Sequence, residues 1–384
     1  MSEVLSFGMV GGGIGSLIGE VHRKAAAFDR KAKLVAGCFS RNYDNTLSTG
    51  KNLGLEVRRL YENFSEMAER EGAREDKIDF VTIVTPNNLH FEIAKAFLEK
   101  GINVICDKPL TLKVEEAEEL ANLAKKRDLL NCVTYTYTGY PMVKHAREII
   151  NQGEIGKIRM VMGEYLQEWL ARPVEKKGNR QASWRTDPKY SGKSNCVADI
   201  GSHIENIISY VTDLEIDSLC ANLDTFVKGR ALDDNAEILI KYTSGARGIY
   251  WCSQLAIGHN NGLKIRILGE KGSVEWEQEN PDYLKVAFYG RPVQILSRGR
   301  DDLYPLASRV SRLPGGHPEG LYEAFANIYS NFSDALVAKK AGNICQKETD
   351  FPTFEDGARG VKFINLCVES SQRGASWISV KQPN

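Results

Sequence analysis

The chain has 384 residues, 42% hydrophobic and 26% charged, enough for a substantial core and, at roughly 100–200 residues per domain, for two domains. Fifty basic side chains balance fifty acidic ones, so net charge gives no basis for binding nucleic acid or an anionic membrane surface. No apolar run of about 18 residues occurs, and the chain runs from Met1 into a strand-like segment without the features of a secretion signal, so the expectation is a cytoplasmic protein.

From the N-terminus, short apolar runs at 5–10, 34–39, 80–84, 104–106 and 132–135 alternate with helical stretches such as 91–100 and 114–126. That alternation predicts parallel strands joined by crossover helices, a doubly wound α/β domain over residues 1–137. The continuous apolar run FVTIV suits a sheet covered on both faces. From residue 138 to 384 the pattern changes. Helices are expected at 143–152 and from 199 to 210. Strands then follow one another at 236–242, 247–254, 264–268, 273–276 and 283–288, separated by turn signals such as Asn261-Gly262 and Lys271-Gly272. Strands without intervening helices predict an α+β domain with an open, mainly antiparallel sheet. Two helices close the chain, near 319–339 and 353–373, the second opened by Thr353 with Glu355 and Asp356.

The first strand runs into Gly11-Gly12-Gly13-Ile14-Gly15-Ser16-Leu17-Ile18-Gly19. A strand-to-helix turn without side chains lets backbone N–H groups reach a pyrophosphate, and the helix N-terminus adds partial positive charge. Gly11, Gly13 and Gly15 are the candidate cofactor residues; a flexible glycine-rich turn is the alternative. The third glycine slot of the usual fingerprint holds Ser16, and Gly19 fits only if the turn carries three extra residues. The second strand ends Cys38-Phe39-Ser40-Arg41-Asn42, with no acid placed for a ribose 2′-hydroxyl. Ser40 and Arg41 suit a 2′-phosphate, while Arg41 serves equally as an adenine stacker or a solvated charge. The cofactor is therefore NAD or NADP.

Two further strand ends carry chemistry: Thr85-Pro86-Asn87-Asn88-Leu89-His90 and Cys106-Asp107-Lys108-Pro109-Leu110. Doubly wound sheets bind ligands at such carboxyl edges. Lys108 there can donate hydrogen bonds to a substrate hydroxyl, or be a surface lysine on a tight turn. Farther on, Asp199-Ile200-Gly201-Ser202-His203 spaces a carboxylate and an imidazole four apart, on one helix face. Such a pair can grip a hydroxyl and take its proton as hydride leaves carbon, and imidazole titrates near neutrality. A capping Asp199 with an unrelated His203 is the bland alternative.

Taken together, the glycine turn, TPNNLH, CDKPL and DIGSH, in that order, resemble the Gfo/Idh/MocA oxidoreductases over nearly the whole chain, including the closing Phe354-Glu-Asp-Gly. The resemblance implies a Rossmann domain for the cofactor and an open sheet for the substrate site and for oligomer contacts, giving a homo-oligomer, dimer or tetramer. It implies that Lys108 contacts nicotinamide and substrate, that Asp199 orients the substrate and His203 is catalytic, and that Thr85, Pro86 and Asn87 line the nicotinamide ribose, with Asn88 beside them a further cofactor candidate. The lengthened glycine turn and Gly315-Gly-His-Pro-Glu-Gly320 resemble the subgroup that includes levoglucosan dehydrogenase.

The expected activity is hydride transfer between nicotinamide and a hydroxyl carbon of a sugar, glycoside, anhydrosugar or cyclitol, in a cleft between the domains. One rival is a glycoside-cleaving enzyme that recycles bound NAD through a transient keto-sugar. Another is a non-catalytic dinucleotide- or sugar-binding regulatory module. Further substrate candidates are Tyr165, Trp184, Arg185 and His317, with Trp169 beside them; for the aromatics the alternative is core or subunit interface, and for His317 a plain loop position. His22 and His90 read as structural. The eight cysteines, at 38, 106, 132, 196, 220, 252, 345 and 367, form no CxxC and no zinc-like cluster, so they are expected as buried free thiols, with no metal.

Overall fold

The computed structural model describes residues 3–343 and 350–380. The chain divides into two compact units, one running to Gly139 and taking in Leu321–Ala358, the other comprising Tyr140–Gly320 and the residues from Arg359 onward.

In the first unit the order is β1 (Leu5–Gly11), α1 (Leu17–Phe28), β2 (Ala32–Cys38), α2 (Tyr43–Asn52), α3 (Phe64–Gly72), β3 (Phe80–Val84), α4 (His90–Glu99), β4 (Asn103–Cys106), α5 (Val114–Lys126) and β5 (Asn131–Val133). The strands form one parallel sheet in the order β2-β1-β3-β4-β5. All five residues of β3 are buried, as a strand covered on both faces requires. The strand order reverses between β1 and β3, where Gly11 pairs with Val84, and that switch point is where such sheets bind ligands. The turns after β1, β3 and β4 therefore open at one edge of this sheet.

The second unit contains α6 (Pro141–Asn151), β6 (Ile158–Leu166), α7 (Arg180–Arg185), α8 (Pro188–Ser191), α9 (Ser202–Thr212), β7 (Ile216–Asp224), β8 (Asn235–Tyr242), β9 (Arg247–Ser253), β10 (Gly262–Gly269), β11 (Gly272–Glu277), β12 (Tyr283–Phe288), β13 (Gln294–Ser297) and α10 (Pro305–Ser308). After it come α11 (Leu321–Lys340), α12 (Phe354–Gln372) and β14 (Ile378–Ser379). Nine strands make one sheet in the order β13-β12-β11-β10-β6-β9-β8-β7-β14. Every neighbouring pair is antiparallel except β6 with β9. Side chains alternate in and out, as in β8, where Ala236, Ile238 and Ile240 are buried and Glu237 and Leu239 are exposed. Helix α9 lies hard against β6: a Cβ on Gly163 would come within 2.2 Å of Ile204 Cγ2.

The expected division at 137/138, with everything after it in the second domain, needs one correction. Helix α11 belongs with the first unit, where Phe325, Ile328, Tyr329, Phe332 and Leu336 join Val21, Ala25 and Phe80 in one apolar cluster. Their three- and four-residue spacing marks a buried stripe, but periodicity does not say which sheet the stripe covers. Strands β6 and β7 were not among the expected elements; their polar and apolar residues alternate irregularly.

Of the cysteines, 38, 106, 132, 196, 252 and 367 are buried free thiols and Cys220 is half-buried, while Cys345 lies outside the described residues. No helix among the described residues is long and apolar enough to cross a membrane.

Candidate active site

The glycine turn is fastened from three sides. Gly13 N–H donates to the Phe39 carbonyl at 3.1 Å, Ile14 N–H to Thr49 Oγ1 at 3.1 Å, and the Arg23 guanidinium to the Gly12 carbonyl at 2.5 Å. Ser16 is the N-cap of α1, accepting from Gly19 N–H at 3.2 Å. The third glycine role passes to Gly19: a Cβ there would lie 2.4 Å from Gly12 Cα, so strand end and helix meet only because both residues lack side chains. Gly11 has φ +85°, and a Cβ on it would meet the Val84 carbonyl at 2.7 Å. Gly15 also has positive φ and is exposed. With the N–H groups of Gly13 and Ile14 committed within the protein, the first turn of α1 supplies the donors that a helix leaves for an anion.

At the end of β2, Ser40 Oγ accepts from Asn42 N–H at 3.1 Å and Ser40 N–H donates to Thr46 Oγ1 at 3.1 Å, while Arg41 is exposed. After β3, Thr85 and Asn88 each bury a side-chain oxygen, Oγ1 and Oδ1, that has no hydrogen-bond partner among the described residues. Orphaned acceptors at a sheet's switch point are what a bound ribose or amide would satisfy, so these residues and the side-chain-free turn fit a dinucleotide. Pro86 is half-buried and Asn87 buried, opening a short helical turn.

His90 joins that loop to the next. Its Nδ1 lies 2.9 Å from the Pro109 carbonyl and its Nε2 2.9 Å from the Thr85 carbonyl. The Lys108–Pro109 peptide is cis. Asp107 Oδ1 accepts from Lys108 N–H at 2.8 Å and from the Thr134 hydroxyl at 3.0 Å, so this carboxylate holds the turn that carries the half-buried Lys108. His22 is fully buried; its Nδ1 lies 2.8 Å from the Tyr329 hydroxyl, and burial lowers its pKa to about 4, against the opposing pull of Asp107. Both histidines thus take structural places.

In the second unit, Asp199 lies within one turn of π-helix, Val197–Gly201, which passes directly into α9 with His203 near its start. Such turns recur at functional sites, where the wider winding redirects side chains. Asp233 fixes the start of this segment. Its carboxylate accepts from Asn195 N–H at 2.8 Å, Val197 N–H at 3.0 Å and the Ser194 hydroxyl at 3.0 Å. Burial pushes the Asp233 carboxyl up, and those three donors pull it down. Asp199 is gripped at both oxygens: Gln254 Nε2 donates to Oδ2 at 3.0 Å, and Arg185 Nε lies 3.3 Å from Oδ1. His203 is buried, with the Tyr165 ring centroid 6.1 Å from its own. The Tyr165 hydroxyl donates to Asn261 Oδ1 at 2.6 Å, which also accepts from Gln167 at 2.9 Å.

Trp184 and Trp169 both flank Arg185, whose guanidinium sits 4.2 Å and 5.9 Å from their ring centroids. The ring of Trp184, a substrate candidate, therefore carries Arg185 on one face. His317 is exposed, in a loop tied down by the buried Arg298, which donates to the Leu313 carbonyl at 2.6 Å and to the His317 carbonyl. Arg298 also pairs with Asp282 at 2.7 Å and Glu319 at 2.9 Å. The structure thus pairs Tyr165 with His203 and Arg185 with Asp199, and joins the two pairs through Asn261, Gln167 and Trp169, whose indole N–H donates to Gln167 Oε1 at 2.9 Å. It adds Asn195, Asp233, Gln254 and Asn261, which motif reading had missed. The sequence cues to them are Asn195 just ahead of DIGSH, an acidic pair before β8, Gln254 directly after β9, and the Asn261-Gly262 turn.

Known proteins match this chain in sequence and fold. Residues 5–135 match the oxidoreductase family with an NAD-binding Rossmann fold, and residues 143–275 match the GFO/IDH/MocA C-terminal domain. The uncharacterized oxidoreductase YfiI of Bacillus subtilis (strain 168) is 37% identical, covering 99% of this chain and 98% of its own. Levoglucosan dehydrogenase of Pseudarthrobacter phenanthrenivorans is 32% identical over 79% of this chain and 80% of its own. The crystal structure of an inositol dehydrogenase homolog from Azotobacter vinelandii, complexed with NADH and myo-inositol, superposes with a TM-score of 0.91 at 37% identity, covering 98% of both chains. The chain belongs to the Gfo/Idh/MocA family of oxidoreductases and carries that family's NAD-binding Rossmann domain.

Proposed function

We propose that this protein is an NAD-dependent dehydrogenase acting on a ring hydroxyl of a cyclitol, sugar or anhydrosugar. The observation that carries the reading is the Asp199 turn: a carboxylate held at both oxygens, four residues ahead of a buried imidazole. The kinds of ligand named for the inositol dehydrogenase homolog and for levoglucosan dehydrogenase support the substrate class.

In this reading the glycine turn and the first turn of α1 bind the pyrophosphate. Thr85, Pro86, Asn87 and Asn88 hold the nicotinamide ribose. Lys108 holds the reacting hydroxyl by donating to its oxygen, and Asp199 orients the substrate by accepting from another hydroxyl of the same ring. His203 takes the proton as general base. Bound nicotinamide supplies the chemistry itself, taking hydride from the carbon or returning it. Tyr165 and Arg185 shape the substrate surroundings, and His317 contributes from its anchored loop. The protein is expected to be a homo-oligomer. The outward side of the nine-stranded sheet exposes the directly paired Leu239 and Ile249, with Trp251, for a second copy to cover; light scattering checks this.

The deciding experiment follows absorbance at 340 nm with NAD and NADP against inositols, pyranosides and anhydrosugars. His203→Ala and Lys108→Ala are run alongside. NADH formation abolished by both substitutions is the expected result. Demonstrable NAD binding without reduction by any substrate in the panel overturns the reading.

A further inference from the structure

We propose that Gln254 is a positioning residue for this reaction, oriented by Asn195 and the Asp233 backbone so that its amide N–H holds Asp199 as a hydrogen-bond acceptor. The inference rests on the dehydrogenase reading above and concerns a part of the site that no motif contains.

The argument begins at a group whose polarity is not negotiable. The Asp233 backbone carbonyl only accepts, and Asn195 Nδ2 lies 3.2 Å from it. The same nitrogen lies 2.6 Å from Gln254 Oε1, so the oxygen end of the Gln254 amide faces Asn195. Its nitrogen end must then face Asp199 Oδ2, at 3.0 Å. Turning Asn195 over would set its oxygen against the Asp233 carbonyl. Turning Gln254 alone would set its oxygen against the Asp199 carboxylate and its nitrogen against the Asn195 nitrogen. One backbone carbonyl thus fixes two side-chain amides and the polarity of the contact on Asp199.

The relay is dry. Gln254 is 0% exposed, Asn195 1% and Asp233 6%. Away from water these contacts are strong and a wrong orientation is costly. Asn195 Oδ1 is buried with no hydrogen-bond partner among the described residues, so the amide keeps its orientation even while leaving one acceptor unsatisfied. Gln254 is itself fixed by its backbone N–H donating to the Asp234 carbonyl at 2.9 Å. A donor aimed at a carboxylate favours its ionised form. Asp199 must stay ionised to accept from a substrate hydroxyl and leave the proton to His203. Charged and titratable groups around this relay include Arg185 on α7, Asp233, Asp234 with its partner Arg230, which also pairs with Glu175, and the thiols of Cys196, Cys252 and Cys367, with His203 four residues on from Asp199.

The test compares Gln254→Leu, Gln254→Glu and Asn195→Ser in the full-length protein, with NAD binding by fluorescence confirming that each is folded. Gln254→Leu is expected to lower kcat about tenfold to a hundredfold at every pH while leaving the KM for NAD unchanged, the loss of one charged hydrogen bond. Gln254→Glu sets two carboxylates face to face. It is expected to be as impaired at alkaline pH and to recover toward wild type at acidic pH, where a shared proton restores a donor. Asn195→Ser, which frees Gln254 to rotate, is expected to give an intermediate loss at every pH. Equal, pH-independent deficits in the two Gln254 variants, or a Gln254→Leu enzyme retaining most of its kcat, overturn the inference. A wild type that turns over no substrate overturns the dehydrogenase reading instead. The relay is then judged by calorimetric binding of the same sugars and cyclitols to the NADH-loaded protein. Weaker binding in Gln254→Leu, regained at acidic pH in Gln254→Glu, sustains it; equal affinities in wild type and variants, or no binding at all, overturn it.

Discussion

The turn of residues 11–19 works by leaving side chains out, whereas the turn around Asp199 works by crowding them in. In the first, Gly12 and Gly19 approach so closely that a single Cβ would lie 2.4 Å from backbone, and the chemistry on offer is main-chain N–H. In the second, Arg185, Asn195, Asp233 and Gln254 converge from four separate stretches of chain to fix one carboxylate. In the proposed reading the first is a fixed receptor for a cofactor part that never changes. The second is a polar assembly whose side chains can be exchanged one at a time, which suits the side that selects the substrate. If this contrast is sound, substitutions in the two turns separate cofactor binding from turnover.

The largest separation is expected from His203→Ala. Loss of a general base lowers kcat by about a hundredfold to ten-thousandfold. NAD affinity, set in the other unit, should stay within about twofold, since no bond to the dinucleotide is assigned to His203. Stopped-flow absorbance and a fluorescence titration on the same preparation read the two quantities. A matching loss in NAD affinity would dissolve the contrast.

The first unit makes its own prediction through His22, which its α11 partner Tyr329 contacts at 2.8 Å. Burial lowers the His22 pKa from 6.5 to about 4. Between those values the unfolded chain binds a proton that the folded chain does not, so stability falls as pH falls through this window. The loss is complete below it and amounts to about 3 kcal/mol. Urea unfolding at neutral pH and near the lower limit measures it, and His22→Gln should flatten the difference. Next comes Gly19→Ala. The added methyl forces the start of α1 off the strand end, with an expected cost of about 1–3 kcal/mol and weaker NAD binding. Thermal melting and NAD titration check both, and the same change should leave the Asp199 network unaltered.

How much of this was legible beforehand follows the same divide. The parallel sheet showed in alternating apolar runs, and β3, α5 and β12 fall where pattern placed them because their periodicity is local. The glycine turn showed because its residues are contiguous, though whether Ser16 or Gly19 filled the third slot needed the contact with Gly12. Asp199 and His203 showed as a spacing. Their supports did not, because Gln254 and Asp233 reach Asp199 and Asn195 only through the fold. The parallel pairing of β6 with β9 and the return of α11 to the first unit were hidden for the same reason: register and docking are not written in any one segment.

The smallest expected effect tests where the cofactor side stops being backbone and becomes side chain. At the end of β2 no acid stands ready for a ribose hydroxyl, and the Ser40 hydroxyl already accepts from Asn42 N–H. Arg41 is the charged group left there, exposed and therefore screened. If it meets a 2′-phosphate, Arg41→Ala should weaken NADP by about threefold to tenfold and leave NAD unchanged, the value of one exposed ion pair. If it stacks on adenine, both dinucleotides should weaken together. The ratio of the two KM values, before and after substitution, tells these apart. An unchanged ratio with unchanged affinities would make Arg41 a solvated charge and leave dinucleotide choice to the backbone of the β2 turn, extending to the ribose the same reliance on main chain that the proposed function gives the glycine turn for the pyrophosphate.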